Sequence, residues 1–298
     1  MSTTRTDRVA AREPDEPRPA VHRAAARQPD EPRSTVTCVF AVTETHPPDE
    51  VVTATPGHDG GGPLRVLAAG SLYLTVQDVP AAAFGEEALA QRLNRPAELE
   101  RCARAHHRAV ETAASAGPVV PLPMATLYLD DRNAVRAVAA REAPLRALLD
   151  RLRGRAEWAV KVHGPGSGHA SAAAGDGPAD GRSYLRRASA RRRTERETRE
   201  RALEQAHAVD RELRRYAAAA TRHRPQSEQL TGRSVPQLLN AAYLVDDGQR
   251  AEFVRAVGEL ARDAHRSAVE VTVSGPWIPY SFARSDEVEC AAHREAGA

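Results

Sequence analysis

The stretch PQLLNAAYLVDDGQRAEFVRAVGELARDAHRSAVEVTVS, residues 236–274, holds the plan of the chain's second half. Pro236 to Val245 is an apolar run of strand length. Asp246 then caps an amphipathic helix reaching Arg266, and Ala268 to Ser274 (AVEVTVS) alternates with the two-residue period of a strand. Before this unit lies the longest helical segment, Ser183 to about Arg222, which contains neither glycine nor proline. Its apolar stripe is good at Leu203, Ala206, Val209, Leu213 and Tyr216 but thin between Ala188 and Leu203. The first half of that helix is therefore solvated or meets a polar surface. After the unit comes Gly275 to Phe282 (GPWIPYSF), where Pro276 and Pro279 deny the backbone a regular ladder. Such a rigid apolar corner either folds back on the core or presents an anchor to a partner.

Further upstream, Gly164 to Gly181 is rich in glycine, alanine, serine and proline and lacks periodicity, so a linker is expected over 164–182. An α+β unit is expected over 34–163. It opens with Ser34-Thr35-Val36-Thr37-Cys38-Val39-Phe40-Ala41-Val42-Thr43, a strand with Val36, Cys38, Phe40 and Val42 on one face. His46 to Pro63, with four prolines and four glycines, reads as a surface loop. Leu64 to Ala69 and Ser71 to Val76 are two short strands meeting at Gly70. Glu86 to Leu93 and Ala97 to Ser115 are helical, the second with Leu99, Cys102, His106 and Val110 in one stripe. Val119 to Leu129 is broken by Pro121 and Pro123, which confine it to an edge, a bulge or two extended pieces. Asp130 or Asp131 caps a helix to about Leu152, and Glu157 to His163 closes the unit as a strand. Residues 1–33 are polar, proline-rich and of mixed charge, and repeat AAREPDEPR (Ala10 to Arg18) as AARQPDEPR (Ala25 to Arg33). That tail, and a second over 284–298, are expected to be disordered or flexible.

The chain's 298 residues suffice for two domains. With 42 basic against 40 acidic residues, net +2, there is no global field to draw in nucleic acid. Cys38, Cys102 and Cys290 stand far apart without a CxxC pair, which suggests neither a disulfide framework nor a thiolate metal site and fits a reducing cytoplasm. No run approaches a membrane span.

No catalytic constellation emerges. Lys161 sits between valines in a strand rather than in a phosphate loop, and Gly164-Pro165-Gly166-Ser167-Gly168 matches neither GxGxxG nor GxSxG. His106 lacks a partner at i+4 and reads as a packed or interface residue rather than a metal ligand. Glu157 beside Trp158 reads as one half of a structural salt bridge, with Lys161 as candidate partner. The arginine-rich helix 186–201 is the strongest hint of nucleic acid in the chain. Glu195, Glu197 and Glu200 interleave with its arginines, so a solvated, i,i+4-paired face is the preferred reading.

Taken together, Arg104 to Val110 (RAHHRAV), Gly117 to Tyr128 (GPVVPLPMATLY), Glu157 to Val162 (EWAVKV), Tyr184-Leu185, Asn240 to Val245 (NAAYLV) and the closing GPWIPYSF resemble the F/L family of gas vesicle proteins. They fall in the family's order and cover residues 35–283. The family's usual PLRFGT is Pro121 to Thr126 here (PLPMAT), and its GPWPPY is Gly275 to Tyr280 (GPWIPY). The resemblance implies an α+β protein of two domains, the second, 183–283, ferredoxin-like with a long helix. It implies a non-enzymatic accessory or minor structural protein of the gas vesicle, within the cytoplasm, without cofactor, metal or small-molecule substrate. Its partners would be the small, apolar major shell protein and other vesicle proteins, whose nucleation and assembly it would assist. Neither a membrane nor nucleic acid is expected as partner; the alternative is a nucleic-acid-binding adaptor acting through helix 186–201. The candidates for partner contact are Trp277, Tyr280, Phe282, Tyr184, Arg187 and His106.

Overall fold

The computed structural model describes residues 34–165, 181–224, 235–265 and 269–283. The expected tails 1–33 and 284–298 and most of the 164–182 linker lie outside the described residues. The first unit runs β1 (Thr35–Thr43), α1 (Asp49–Ala54), β2 (Arg65–Ala69), β3 (Leu72–Pro80), α2 (Ala81–Phe84), α3 (Glu86–Leu93), α4 (Pro96–Ala114) and β4 (Val119–Tyr128). Helices α5 (Asp131–Ala139) and α6 (Glu142–Leu152) follow. The second unit is β5 (Arg155–His163), α7 (Gly181–Leu213), β6 (Ala219–Arg222), β7 (Gln237–Asp246), α8 (Arg250–His265) and β8 (Glu270–Trp277).

The sheets are ordered β2-β3-β1-β4 and β6-β7-β5-β8, and every pairing is antiparallel. In each unit the strands stand second, third, first, fourth by position in the chain. That is the βαββαβ, ferredoxin-like arrangement, present twice. The expected placement of the strand at Glu157 to His163 is corrected by this pairing. It does not close the first unit but lies at the centre of the second sheet, with Trp158 opposite Tyr243 on β7 and Val160 opposite Val273 on β8. A ferredoxin-like unit needs its first strand inside the sheet, and residues 183–283 alone supply only β6, β7 and β8.

Three buried clusters hold the stack together. Phe40, Val52, Phe84, Leu89, Ala109 and Val110 join α1–α4 to one face of the first sheet. Trp158, Val160, Val209, Leu213, Tyr243 and Phe253 join α7 and α8 to one face of the second. Between the sheets, Val39, Leu72, Leu74, Val138, Leu148, Leu149, Ala242, Leu244 and Phe282 make a single shared core around α5 and α6. The first sheet is thus covered on both faces, which is why β1 reads as an almost unbroken buried run. Strand β7 alternates cleanly, Ala241, Tyr243 and Val245 toward its own helices, Ala242 and Leu244 toward the shared core.

Local departures from expectation have local causes. The register of β1 shifts between Val39 and Ala41, so Phe40 is an extra residue and Val42 turns to the shared core instead of the face of Cys38 and Phe40. The proline-rich segment 46–63 includes α1, entered from extended Pro48 with Asp49 and Glu50 in its first turn, where acids favour the helix dipole. The helix expected to run from Asp130 to Leu152 is two. Asp130 caps the first by accepting from Asn133 N at 2.8 Å, and Pro144, which tolerates only a first turn, forces a new start at Glu142. Helix α7 ends at Leu213, and Ala219–Arg222 is an edge strand on β7 rather than helix.

One buried polar network fixes that edge. Asp210 on α7, 1% exposed, accepts from Tyr243 Oη at 2.6 Å, Arg214 Nε at 2.9 Å and Arg222 Nη2 at 2.5 Å. Burial works against the Asp210 carboxylate, but hydrogen bonds from Tyr243, Arg214 and Arg222 outweigh it and hold its pKa below the ordinary value.

Candidate partner-docking surface

The last residues of β8, from Gly275, bulge against β5 before Trp277 pairs with Glu157, and the chain from Ile278 to Ala283 then returns to the first unit. Gly275 makes the bulge possible. Its φ is +142°, and a Cβ there would stand 2.9 Å from Glu157 O and 3.0 Å from the Trp158 ring. Beyond it, Ile278 and Tyr280 pack against the core under α4, while Phe282 enters the shared core. Ser281 secures the return by donating through its backbone N to Glu157 Oε2 at 2.8 Å and through Oγ to Oε1 at 2.7 Å. The expected ion pair of Glu157 with Lys161 gives way to this contact; four residues along a strand separate two side chains by about 13 Å.

This strap presents Trp277 and Tyr280 to His107 of α4. Tyr280 Oη lies 3.1 Å from His107 Nδ1, and His107 Nε2 is 3.2 Å from Glu111 Oε1. Burial raises the Tyr280 phenol above its usual pKa, with the Glu111 charge adding to the effect, so the hydroxyl stays protonated and can donate. Tyr280 donating to Nδ1 and Nε2–H donating to Glu111 fits one neutral histidine tautomer. The Trp277 ring meets His107 edge-on at 6.5 Å, its Nε1 donates to Ser274 Oγ at 3.3 Å, and it remains 46% exposed. On the far side of His107, reached through Glu111, an open groove of about 730 Å³ runs between α1 and α4, lined by Val51, Ala54, Pro56, Arg108, Glu111 and Thr112 among others. Thr55 and Thr112 bridge the two helices through their hydroxyls at 2.8 Å. Val51, also 46% exposed, adds a second apolar foothold, and Glu111 belongs to both the groove and the strap contact.

Of the residues expected to meet a partner, Trp277 and Tyr280 are brought together on this face through His107. Phe282 and His106 are corrected: Phe282 is 4% and His106 5% exposed, so neither can touch a partner of the folded chain. His106 stacks at 5.6 Å on Phe40, whose other neighbour is His58 at 5.3 Å. Burial pushes both imidazoles down to about 4. Arg187 is exposed on the first half of α7, and Tyr184 stands in the same half, its side chain outside what the structure describes. The sequence reading missed His107, Val51 and Glu111. Pro48 followed by Asp49-Glu50 is a helix-start signal that could have exposed the groove.

Among the described residues no three His, Cys, Asp or Glu side chains are placed to hold a metal ion, and no helix is long and apolar enough to cross a membrane. The Cys38 thiol is pushed up to about 12, first by burial and then by Cys102, which makes it an inert core residue.

Fold and surface define a class: an α+β scaffold of tandem βαββαβ units around a shared core. Residues 37–284 match the family model described as gas vesicle synthesis protein GvpL/GvpF. A gas vesicle protein L of Streptomyces sp. (strain CB03234) is 37% identical over 263 residues, spanning 87% of this chain and 97% of the relative. The chain belongs to the GvpL/GvpF family of gas vesicle proteins. The crystal structure of GvpF from Anabaena sp. PCC7120 shares the fold, with a TM-score of 0.61, 16% identity and coverage of 85% of this chain and 98% of that one. GvpF from Microcystis aeruginosa does so at a TM-score of 0.55 and 15% identity, over 84% and 99% of the two chains. Family membership ties the role of the chain to gas vesicles.

Proposed function

We propose that the chain is a non-enzymatic accessory or minor structural protein that binds the major gas vesicle shell protein and other vesicle proteins in the cytoplasm. In this role it assists nucleation and assembly of the shell. The observation that carries the reading is the half-exposed Trp277, set edge-on to His107, which reaches through Glu111 to the largely apolar groove of α1 and α4. A shell subunit with a water-repelling face aggregates unless something covers it, and a fixed aromatic linked to an apolar trough supplies such cover at little cost in side-chain entropy. Glu50, Arg108 and Glu111 give the trough a polar rim, as protein-binding sites have.

The test is co-capture. Tagged full-length chain, mixed with the major shell protein under native conditions, is expected to retain it, and Trp277→Ala combined with Val51→Asp is expected to reduce retention about tenfold. Failure of the native chain to retain the shell protein overturns the reading; retention undiminished in the double variant moves the contact to another face.

A further inference from the structure

Helix α7 is longer than the fold requires. Its buried positions Ala202, Ala206, Val209 and Leu213 lie in the last third of the helix, about 18 Å of rise, which matches the strands beneath. From 186 to 201, about 24 Å of helix, no side chain is buried. Eight arginines stand there against three glutamates, a net of +5 in a chain whose total is +2. Pairs Arg193–Glu197 at 2.9 Å and Arg196–Glu200 at 2.8 Å are exposed and contribute a few tenths of a kcal/mol each. Arg192, Arg196 and Arg199 fall at spacings of four and three, one stripe along the rod, and Arg192 and Arg199 hold no ion pair among the described residues.

Helix stability does not account for this composition. Like charges three and four apart repel. That penalty vanishes against a partner of opposite sign. We propose that residues 186–201 form a docking rod for an acidic segment of another protein, laid along the Arg192, Arg196 and Arg199 stripe. A second copy of this chain would set +5 against +5. A nucleic acid presents charge of one sign, so Glu195, Glu197 and Glu200 would each face phosphate. A protein segment of net negative but mixed charge matches both the arginines and the interleaved glutamates. No residue of the rod belongs to the strap or lines the α1–α4 groove, and the inference stands whether or not that face binds the shell protein.

Two labelled probes test it by fluorescence anisotropy against the full-length chain: a helical peptide of about twenty residues carrying a mixed pattern of net charge about −5, and a duplex DNA of similar length. The native chain is expected to bind the peptide more tightly than the DNA. Arg192→Glu, Arg196→Glu and Arg199→Glu together are expected to weaken the peptide about tenfold or more, with unchanged circular dichroism. Equal peptide binding by native and triple variant overturns the proposal, and so does tighter binding of DNA, which assigns the rod to nucleic acid.

Discussion

Glu157 on central strand β5 holds Ser281, 124 residues later in the chain, through both carboxylate oxygens, at 2.8 Å from the serine N and 2.7 Å from its Oγ. The pair ties the end of the chain's last described segment to the middle of the second sheet, and so decides where Trp277 and Tyr280 stand. Glu157→Ala leaves the half-buried Ser281 amide without its acceptor, while the hydroxyl keeps His223 Nε2 at 3.1 Å, and is expected to lower stability by about 1 to 3 kcal/mol. Ser281→Ala, which keeps the backbone bond, is expected to cost about 1 kcal/mol. Urea unfolding followed by tryptophan fluorescence measures both. An unchanged midpoint for Glu157→Ala would show that the strap is held elsewhere.

Gly275 is the hinge of the same strap. With φ at +142° and a Cβ landing 2.9 Å from a backbone oxygen, Gly275→Ala is expected to lower stability by about 2 kcal/mol or more. Gly117 offers the control: its φ is +135°, yet a Cβ there meets nothing within 4 Å. Gly117→Ala should therefore show only the backbone cost, about 1 to 3 kcal/mol, with Gly275→Ala exceeding it by the cost of the close approach. Equal thermal shifts for the two variants would mean that the close approach to Glu157 is unimportant.

The paired histidines around Phe40 set a pH dependence. His58 and His106 fall from the ordinary imidazole value of 6.5 to about 4 in the folded chain, chiefly through burial. Protonation thus favours the unfolded state. Stability is full above pH 6.5 and declines as the pH falls from there toward 4, by about 1.4 kcal/mol per unit for each histidine. At pH 5.5 a loss of roughly 2 to 3 kcal/mol relative to pH 7.5 is expected in urea titrations. His58→Leu with His106→Leu should flatten that slope; a double variant as pH-sensitive as the native chain would exclude these two groups as its cause.

How far the sequence disclosed this fold depended on whether a feature was local. The strand at Glu157 to His163 was legible from its alternation, but its membership of the second sheet was not, because its partners Tyr243 and Val273 lie far along the chain. Four alanines, Ala217 to Ala220, carry helical propensity. They end in a strand because β7 offers an edge to pair and Arg222 must reach Asp210. On α4 helical spacing placed His106 with Cys102 and Val110 on the buried side, and the same geometry turns His107 roughly 100° away toward the strap. The aromatic content of GPWIPYSF marked it as unusual. Its direction was hidden, since only the tertiary path separates an outward Trp277 from an inward Phe282.

Asp210 makes a stronger claim on stability than any surface pair. Its carboxylate is buried among Tyr243, Arg214 and Arg222. Asp210→Ala strands the buried Tyr243 hydroxyl, while the half-exposed Arg214 and Arg222 can turn to water, and is expected to cost about 2 to 3 kcal/mol, against about 1 to 2 for Tyr243→Phe. Because the folded pKa of Asp210 is depressed, its contribution is present above the unfolded value of 3.8 and is lost as the pH falls below it. A Tyr243→Phe variant less stable than Asp210→Ala would reverse this order and place the network's weight on the phenol.

Two aromatic residues five positions apart supply the sharpest contrast. Phe282 is 4% exposed within the core shared by both sheets, whereas Trp277 is 46% exposed on the side of the strap that meets His107. Phe282→Ala opens a cavity where the two units meet and is expected to cost about 3 to 5 kcal/mol. Trp277→Ala removes a half-exposed ring that meets His107 edge-on and donates to Ser274 and should change stability by less than about 1 kcal/mol. If Trp277 serves recognition, the order inverts in a binding assay: Trp277→Ala loses shell protein while remaining folded, and Phe282→Ala loses it only in proportion to the unfolded fraction. A Trp277→Ala variant that unfolds as readily as Phe282→Ala would instead make the tryptophan a structural wedge, its exposure incidental to the way the strap packs on α4.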